Sequence, residues 1–235
     1  MHHHTIQAVL FDLDGTLIDS APDLSAAADK LRTDRGLPAI ALERYRPMAG
    51  AGARGMIGVA FGYEATHPEF EALREEFYIN YERALTANTF AFEGVARLLQ
   101  MLQTRSLPWG VVTNKAKRFT EPLVAQMPLL TPAAVVISGD TTPHAKPHPE
   151  PLFEAARRLG LAPAQCAYVG DDKRDIDAAL AAGMPALAAA WGYLGAHHID
   201  DWGAHKVLQT PDEVMDWLDA HNAQAARYAR ALRVG

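Results

Sequence analysis

Short, continuous runs of apolar residues recur along the chain and predict the strands of a buried sheet. Five runs are bounded by turn residues, as strands covered on both faces are. They lie at residues 8–11, 109–113, 134–137, 167–170 and 186–190. Patterns with a helical period separate most of them, at 93–105, 149–159 and 175–182. This alternation predicts an α/β fold, a Rossmann-like parallel sheet with helices on both faces.

One long stretch interrupts the alternation. From residue 20 to about residue 88 the pattern predicts helices and no convincing strand. Two of these helices have apolar stripes at helical spacing. The stripes consist of Leu24, Ala27, Ala28 and Leu31, and of Phe70, Leu73, Phe77 and Tyr81. We therefore predict an α/β core domain formed by residues 1–17 and 89–235, with an all-helical cap domain, residues 18–88, inserted after the first strand.

A glycine-rich stretch lies between the predicted cap helices. Residues 50–55 have the sequence Gly-Ala-Gly-Ala-Arg-Gly, which is too rich in glycine for a helix interior. The simpler interpretation is a flexible turn. The functional alternative is a substrate loop, in which the backbone at Gly52 lies close to a ligand and Arg54 contacts an anion.

Composition and charge limit the classes of partner. The 235-residue chain is 49% hydrophobic, with a net charge of −6 and a pI near 5.9. Because an acidic chain is poorly suited to nucleic acid or to an anionic membrane, we expect neither as a partner. An anionic substrate would need a bound metal or local cations. The sequence leaves the oligomeric state open.

The sequence also indicates a cellular compartment. The single cysteine, Cys166, cannot form an internal disulfide and lies in an apolar run, so we interpret it as a buried strand residue rather than a nucleophile. No signal peptide or apolar span of about eighteen residues is visible. We therefore expect a cytoplasmic protein. The histidine-rich start, residues 1–4, is interpreted as a tag remnant or a frayed end rather than a metal site.

Two carboxylates follow the first apolar run, where the chain must turn. Residues 12–16 have the sequence Asp-Leu-Asp-Gly-Thr. In an extended segment residues i and i+2 point to the same side, so Asp12 and Asp14 could act on one centre. One would attack it and the other would transfer a proton, which indicates covalent catalysis. The same residue types are common in surface turns, so the motif alone leaves both interpretations open.

Other reactive residue types follow the later predicted strands. Thr113 and Asn114 end the second apolar run, and Lys146 comes shortly after the third. Asp171 and Asp172 directly follow the fourth. Ligands of parallel α/β sheets bind beyond the carboxyl ends of the strands. The recurrence therefore favours a reaction centre at that edge of the sheet.

These motifs, in this order, resemble the four signature motifs of the haloacid dehalogenase superfamily of phosphohydrolases. The strings Phe-Asp-Leu-Asp-Gly-Thr-Leu-Ile-Asp-Ser at 11–20, Val-Val-Thr-Asn-Lys at 111–115 and Lys-Pro-His-Pro-Glu-Pro-Leu at 146–152 are similar to its phosphoglycolate phosphatase branch. The resemblance covers essentially the full chain. It implies a Mg²⁺-dependent phosphomonoester hydrolase that acts on a small phosphorylated metabolite, with 2-phosphoglycolate as the first choice.

The resemblance also implies roles for individual residues. Asp12 would be the nucleophile that becomes an aspartyl phosphate. Asp14 would protonate the leaving alcohol and then deprotonate the water that cleaves the intermediate. The Mg²⁺ ligands would be the Asp12 carboxylate, the Asp14 backbone carbonyl and Asp171. Phosphate and substrate would be bound by Thr113, Asn114 and Lys146, with Gly52 and Arg54 from the cap.

Two further aspartates have two possible roles. Asp172 and Asp175 would lie behind the metal ligands and support the metal or Lys146. Acidic residues are also favoured in the first turn of a helix, where they stabilise its N-terminus. For these two residues the sequence leaves both interpretations open.

The fourth motif departs from the phosphoglycolate phosphatase pattern. Asp172, Lys173 and Arg174 stand where that branch usually has serine, a basic residue and asparagine. Together with Gly-Ala-Arg-Gly-Met at 52–56, this motif also resembles the N-acetylmuramic acid 6-phosphate phosphatases of bacterial cell-wall recycling. A catalytically idle phospho-ligand binding protein is an alternative of another class, against which the intact motifs argue.

Overall fold

A computed structural model describes residues 4–195 and 197–234, with a six-stranded parallel sheet at its centre. In chain order the elements are β1 (Ala8–Phe11), β2 (Ile18–Asp19), α1 (Ala21–Thr33), α2 (Leu42–Tyr45), α3 (Gly52–Phe61), α4 (Phe70–Glu82), β3 (Phe90–Ala91), α5 (Val95–Thr104), β4 (Trp109–Val112), α6 (Lys117–Gln126), β5 (Val135–Ile137), α7 (Glu150–Leu159), β6 (Cys166–Gly170), α8 (Lys173–Ala181), β7 (Ala186–Ala189), β8 (Lys206–Leu208) and α9 (Glu213–Val234). Within the described ranges, no helix combines the length and the apolar character needed to cross a bilayer. Residues 1–3 of the histidine-rich start lie outside those ranges.

The large sheet has the strand order β5-β4-β1-β6-β7-β8. Every pair of neighbouring strands is parallel, and β1 pairs with β4 on one side and β6 on the other. The five predicted strands are all present, within one residue at each end. Cys166 is buried at the start of β6, as expected, and burial raises the pKa of its thiol to about 11. The predicted α/β fold class is confirmed.

Different helices cover the two faces of the sheet, because successive residues of a strand point to opposite sides. Val9 and Phe11 lie in an apolar cluster that contains residues of α5 and α9. Ala8 and Leu10 lie in a second cluster, with residues of α7 and α8. Burial on both sides is the reason that β1 is apolar at every position.

The sheet also contains a strand that the apolar pattern does not predict. β8 pairs with β7 at the edge of the sheet, with Lys206 opposite Leu187 and Leu208 opposite Ala189. Of its three residues, only Leu208 is buried. An edge strand with one covered face has no continuous apolar run, so the pattern used for the other strands could not detect it.

The two predicted apolar stripes of the segment 20–88 are buried against each other. Leu24 and Leu31 of α1 and Leu73 and Phe77 of α4 belong to a third apolar cluster, separate from the two that cover the sheet. α1 begins directly after Ser20, as the helix-start pattern predicts. The segment therefore supplies most of a third hydrophobic core, to which Phe119 and Tyr193 from outside the segment also contribute, and its division from the rest of the chain at residues 18 and 88 stays a prediction.

A short pair of strands joins this segment to the remainder of the chain. β2 and β3 are antiparallel, with Ile18 opposite Ala91 and Asp19 opposite Phe90. Each strand has only two residues, too few for a periodic pattern to be visible in the sequence. The chain therefore enters and leaves the helical segment at neighbouring points.

Residues 50–55 form helices rather than the flexible turn suggested by their glycine content. A 3₁₀ helix spans Arg46–Ala51, and α3 begins at Gly52. Packing explains one of the glycines, because a Cβ at Gly55 would lie 2.3 Å from the backbone oxygen of Met48. The interpretation as a flexible turn was wrong, since a close contact with the preceding turn, not local flexibility, accounts for this glycine.

We expect Gly55→Ala to lower the free energy of unfolding by about 1–3 kcal/mol, because the added methyl group must displace the Met48 carbonyl. Gly58→Ala is the matched control on the same helix, where the nearest atom would be 4.0 Å away. It should raise the stability by about 0.5–1 kcal/mol, since alanine is the better helix former. Urea unfolding measures both, and equal stability of the two variants would contradict the packing argument.

Candidate active site

The carboxyl ends of three neighbouring strands carry the predicted polar residues. Asp12 follows β1, Thr113 follows β4, and Asp171 follows β6. The Asp12 amide donates to the carbonyl of Val169 at 2.9 Å, so this residue continues the hydrogen-bond ladder of the sheet. The side chains are therefore positioned by rigid strands rather than by a flexible loop.

A cavity of about 440 Å³ lies between this edge of the sheet and the helices of the segment 20–88. All the residues predicted for the site line it, namely Asp12, Asp14, Gly52, Arg54, Thr113, Asn114, Lys146, Asp171, Asp172 and Asp175. The fold thus brings together residues that are up to 163 positions apart in the chain (175 minus 12). Their chemical roles stay predictions.

The ammonium group of Lys146 lies at the centre of the buried side of the site. Its Nζ is 2.8 Å from Asp12 Oδ1 and 2.7 Å from Asp175 Oδ1. It is also 2.9 Å from the Val112 carbonyl oxygen and 2.8 Å from the Tyr168 hydroxyl. Burial opposes the charge of Lys146, but the two carboxylates outweigh burial and raise its pKa above the usual value. Lys146 is therefore a fixed positive charge beside Asp12.

The carboxylate oxygens of Asp12, Asp171 and Asp175 lie within 4.8 Å of one another and could hold a metal ion. Burial raises the pKa of Asp12 to about 6, although Lys146 opposes the shift. Burial, together with Asp12 and Asp175, raises the pKa of Asp171 well above its usual value. Burial is the largest cause of both shifts, and the neighbouring carboxylates add to it.

The glycine and threonine of the Asp-Leu-Asp-Gly-Thr motif hold Asp171 in place. The Thr16 hydroxyl donates to Asp171 Oδ1 at 2.8 Å, and the Tyr193 amide donates to Oδ2 at 2.8 Å. Gly15 has φ +92°, and a Cβ there would lie 2.1 Å from Asp171 Oδ2. The motif therefore supplies more than its two aspartates, since its last two residues fit the chain closely around a carboxylate from β6.

The second aspartate of the motif forms an ion pair that the sequence analysis missed. Lys115 Nζ lies 2.9 Å from Asp14 Oδ1 and 3.0 Å from Oδ2, and Ser20 Oγ also donates to Asp14. Burial works against the charge of Lys115, but Asp14 raises its pKa above the usual value. Lys115 is part of the string Val-Val-Thr-Asn-Lys, so its place in that motif was the available signal.

Thr113 and Asn114 have different partners in the structure. The Thr113 hydroxyl oxygen accepts from the Lys115 amide at 3.1 Å, which leaves its hydrogen available to a ligand in the cavity. The Asn114 side chain bonds at both ends to the backbone of Lys146, at 2.9 Å each. Asn114 therefore fixes the position of the lysine, and its predicted contact with phosphate is untested.

Asp172 and Asp175 cap the N-terminus of α8. Asp172 Oδ1 accepts from the Arg174 amide at 2.9 Å, and Asp175 Oδ2 accepts from the Asp172 amide at 3.1 Å. The helix consequently begins at Lys173, two residues before the predicted start. Burial would raise the pKa of Asp172, but its bonds with Arg174 lower it. Asp175 serves the helix and Lys146 together, so capping and the predicted supporting role coincide at this residue.

The wall opposite the strand ends is formed by the helical segment. Gly52 and Arg54 lie in the first turn of α3, and Arg74 and Tyr78 of α4 line the same cavity. Arg174 Nη2 donates to the carbonyl of Gly50 at 2.8 Å. This bond connects the strand-end side of the cavity directly with the helical segment.

Comparison with known proteins gives consistent matches over nearly the whole chain. The model of the haloacid dehalogenase-like hydrolase family matches residues 9–189. A phosphoglycolate phosphatase of Xanthomonas campestris pv. campestris is 45% identical over 211 residues, which cover 89% of this chain and 95% of the relative. An N-acetylmuramic acid 6-phosphate phosphatase of Pseudomonas putida is 41% identical over 216 residues, covering 92% and 97%. A crystal structure described as a predicted phosphoglycolate phosphatase from Haemophilus somnus has a TM-score of 0.80 at 26% identity, covering 91% and 98%.

A parallel sheet with carboxylates and a lysine at its carboxyl edge places the protein among the α/β enzymes. The family match and the identity with the relatives make the assignment specific. The chain belongs to the haloacid dehalogenase-like hydrolase family. The family inferred from the four motifs is confirmed.

We expect Lys115→Met to lower the free energy of unfolding by about 3 kcal/mol, because it leaves the Asp14 carboxylate without its partner in a poorly solvated place. Only 7% of the Lys115 side chain and 13% of the Asp14 side chain are exposed. Lys117→Met is the control, since 61% of that side chain is exposed beside Glu121. The free energy of unfolding of the control should fall by at most about 1 kcal/mol. Urea unfolding compares the two, and equal losses would show that the Lys115–Asp14 pair contributes no more than a surface pair.

Proposed function

We propose that this protein is a Mg²⁺-dependent phosphomonoester hydrolase that forms an aspartyl phosphate on Asp12. The observation that carries the proposal is the contact of Asp12 with Lys146 at the floor of the cavity, beside Asp171. The family match and the phosphatase names of the relatives confirm the enzyme class. An idle binding protein would have no need to keep a nucleophile, a proton carrier and a buried cation together.

The first half of the reaction uses both aspartates of the motif. An Asp12 carboxylate oxygen attacks phosphorus, and the bond between phosphorus and the ester oxygen breaks. For this step Asp14, which the structure pairs with Lys115, must first take up a proton; it then gives that proton to the departing alkoxide, which leaves as an alcohol. Lys146 offsets the repulsion between the Asp12 carboxylate and the phosphate, two negative groups that would otherwise repel by several kcal/mol at about 4 Å.

The second half restores the enzyme. Asp14, now deprotonated, takes a proton from a water molecule that attacks phosphorus. The bond between phosphorus and Asp12 breaks, and inorganic phosphate is released. Thr113 donates its free hydroxyl hydrogen to a phosphate oxygen in both halves, because its own oxygen is already occupied by the Lys115 amide.

The residues present fit a hard divalent cation. Two buried carboxylates, Asp171 and Asp175, and the partly exposed carboxylate of Asp12 lie around one ammonium group, so the cluster carries more negative than positive charge. Their donors are all oxygen atoms, which suit Mg²⁺. We assign the ion to the Asp12 carboxylate, the Asp14 backbone carbonyl and Asp171. When bound, it would supply positive charge to the phosphate oxygens and to the nucleophile.

The substrate proposed is 2-phosphoglycolate, on the strength of the 45% identical relative. N-Acetylmuramic acid 6-phosphate is the second candidate, because a relative at 41% identity has that activity in its name and covers slightly more of the chain. In either case Gly52 and Arg54 would contact the part of the substrate that leaves as alcohol. A cytoplasmic location and the absence of nucleic-acid or membrane partners stay predictions.

We expect Asp12→Asn to abolish Mg²⁺-dependent hydrolysis of p-nitrophenyl phosphate, because an amide cannot form the phosphoenzyme. Asp14→Asn should lose turnover yet still bind substrate, since the proton carrier is not the main anion contact. Asp34→Asn on the exposed end of α1 is the matched control and should keep full activity. The measurements are initial rates with and without excess chelator, and calorimetric binding of a phosphomonoester. Turnover by the Asp12 variant would remove the covalent mechanism.

We expect kcat/KM for 2-phosphoglycolate to exceed that for N-acetylmuramic acid 6-phosphate by at least about a hundredfold, which corresponds to nearly 3 kcal/mol in the transition state. The two esters are compared at the same Mg²⁺ concentration and pH. A preference of the same size in the other direction would assign the second candidate. If the protein hydrolyses p-nitrophenyl phosphate but neither of the two esters, then neither ester is its substrate.

A further inference from the structure

A second cluster of metal-binding residue types lies outside the cavity, on the segment that supplies Lys146. His144, His148 and Glu150 are two to four residues from Lys146 in the chain, yet their side chains are on the outer surface. Their ligand atoms all lie within 4.8 Å of one another. The proposed phosphatase chemistry uses none of the three.

Their spacing is close to that of a tetrahedral site. Glu150 Oε2 lies 2.8 Å from His144 Nδ1 and 3.9 Å from His148 Nδ1. Metal bonds of 2.0–2.1 Å at the tetrahedral angle place two ligand atoms about 3.4 Å apart. The two separations from Glu150 differ from this value by about 0.5–0.6 Å, and the exposed side chains of His144 and His148 can move to bring the three ligand atoms around one ion.

The two imidazoles are adjacent, and exposed rings can rotate about their side-chain bonds to turn their nitrogens toward one ion. The rings are stacked, with centroids 4.3 Å apart and planes inclined by 26°. The Glu150 amide donates to His148 Nδ1 at 3.2 Å, so this nitrogen is the unprotonated one and carries the lone pair that a metal requires. That hydrogen bond is long and exposed to water, so its exchange for a metal bond costs little.

The backbone beneath the cluster is held in place. The Thr142 hydroxyl donates to the His144 carbonyl at 2.8 Å, and the His148 amide donates to the Ala145 carbonyl at 3.0 Å. The backbone of Lys146, between the two histidines, is fixed on both sides by the Asn114 side chain. The ligands therefore project from a segment whose conformation is already determined.

We propose that His144, His148 and Glu150 form a surface binding site for a borderline-soft divalent transition-metal ion, with Zn²⁺ as the best fit. Two imidazole nitrogens and one carboxylate oxygen match the preferences of Zn²⁺, and water would complete the coordination. Mg²⁺ prefers oxygen donors and has little affinity for imidazole. The donor sets thus separate this site from the carboxylate cluster at Asp12. A bound ion would tie together the two sides of the Lys146 segment and stabilise the folded state.

The test is calorimetric titration of Zn²⁺ into the full chain with Mg²⁺ present in saturating excess, so that the carboxylate cluster is occupied. Every protein carries alanine at positions 2, 3 and 4, which removes the terminal histidines. The variant His144→Ala with His148→Ala is compared with the control His197→Ala with His198→Ala. The control removes a second pair of exposed histidines, which lies near Asp200.

We expect one equivalent of Zn²⁺ to bind to the parent and to the control with equal affinity. Loss of an indirect partner of a metal ligand already weakens binding by about 10- to 100-fold, so loss of two ligands should weaken it by at least about a hundredfold. Zn²⁺ should also raise the melting temperature of the parent and the control but not of the variant. Without Zn²⁺ all three should melt at the same temperature.

Two results would overturn the proposal. One is absence of saturable Zn²⁺ binding to the parent, and the other is unchanged affinity in the His144 and His148 variant. If the melting temperature of that variant without Zn²⁺ is lower than that of the parent, the Glu150→Gln variant is used instead, because this substitution removes only the charged ligand. Equal affinity of Glu150→Gln and the parent would then exclude the site. None of these readouts depends on catalytic turnover, so failure of the proposed phosphatase activity would be recognised separately.

Discussion

The buried ammonium group of Lys146 links the ends of two neighbouring strands to the first turn of a helix. It lies within 3 Å of oxygens from the end of β1, the end of β4 and the first turn of α8. Each partner is nearly withdrawn from water, so removal of the lysine would leave two carboxylates facing each other without compensation. Breaking a buried pair in this way costs about 3–5 kcal/mol. The loop between β5 and α7 is therefore held by electrostatics beside Asp12 and Asp175.

Stability and chemistry are supported by the same contacts in this site. Asp175 caps α8 through one oxygen and binds Lys146 through the other. Thr16 belongs to the turn after β1, yet its hydroxyl orients Asp171 from β6. Because each group has two duties, the carboxylates cannot move independently, and the arrangement at the strand ends is preorganised before any ligand arrives.

Much of the fold could be predicted because its strands are buried on both sides. Such strands are apolar at every position, which is visible in a single sequence, whereas β8 has one exposed face and gave no such pattern. The error at residues 50–55 has another origin. The glycine at 55 is explained by the nearby Met48 carbonyl, and a contact of this kind exists only once the chain has folded. Local composition could not distinguish it from a flexible turn.

The candidate site could be predicted as a set of residues but not as a set of contacts. Strand ends and motif spacing were sufficient to gather Asp12, Thr113 and Asp171. They could not show that Lys115 pairs with Asp14, because a lysine after a strand is usually solvated. The ambiguity of Asp175 had a physical basis, since helix capping and contact with Lys146 favour the same residue type at the same place. Asp172, by contrast, caps the helix and binds Arg174.

The pairing of β2 with β3 has a consequence for how this protein could change over time. The helical segment leaves the rest of the chain at Ile18 and returns at Ala91, directly opposite. Exchange of everything between those two points would leave every hydrogen bond of the six-stranded sheet in place. The half of the cavity formed by the helical segment can thus be replaced as a unit, while the half formed by the strand ends is kept unchanged.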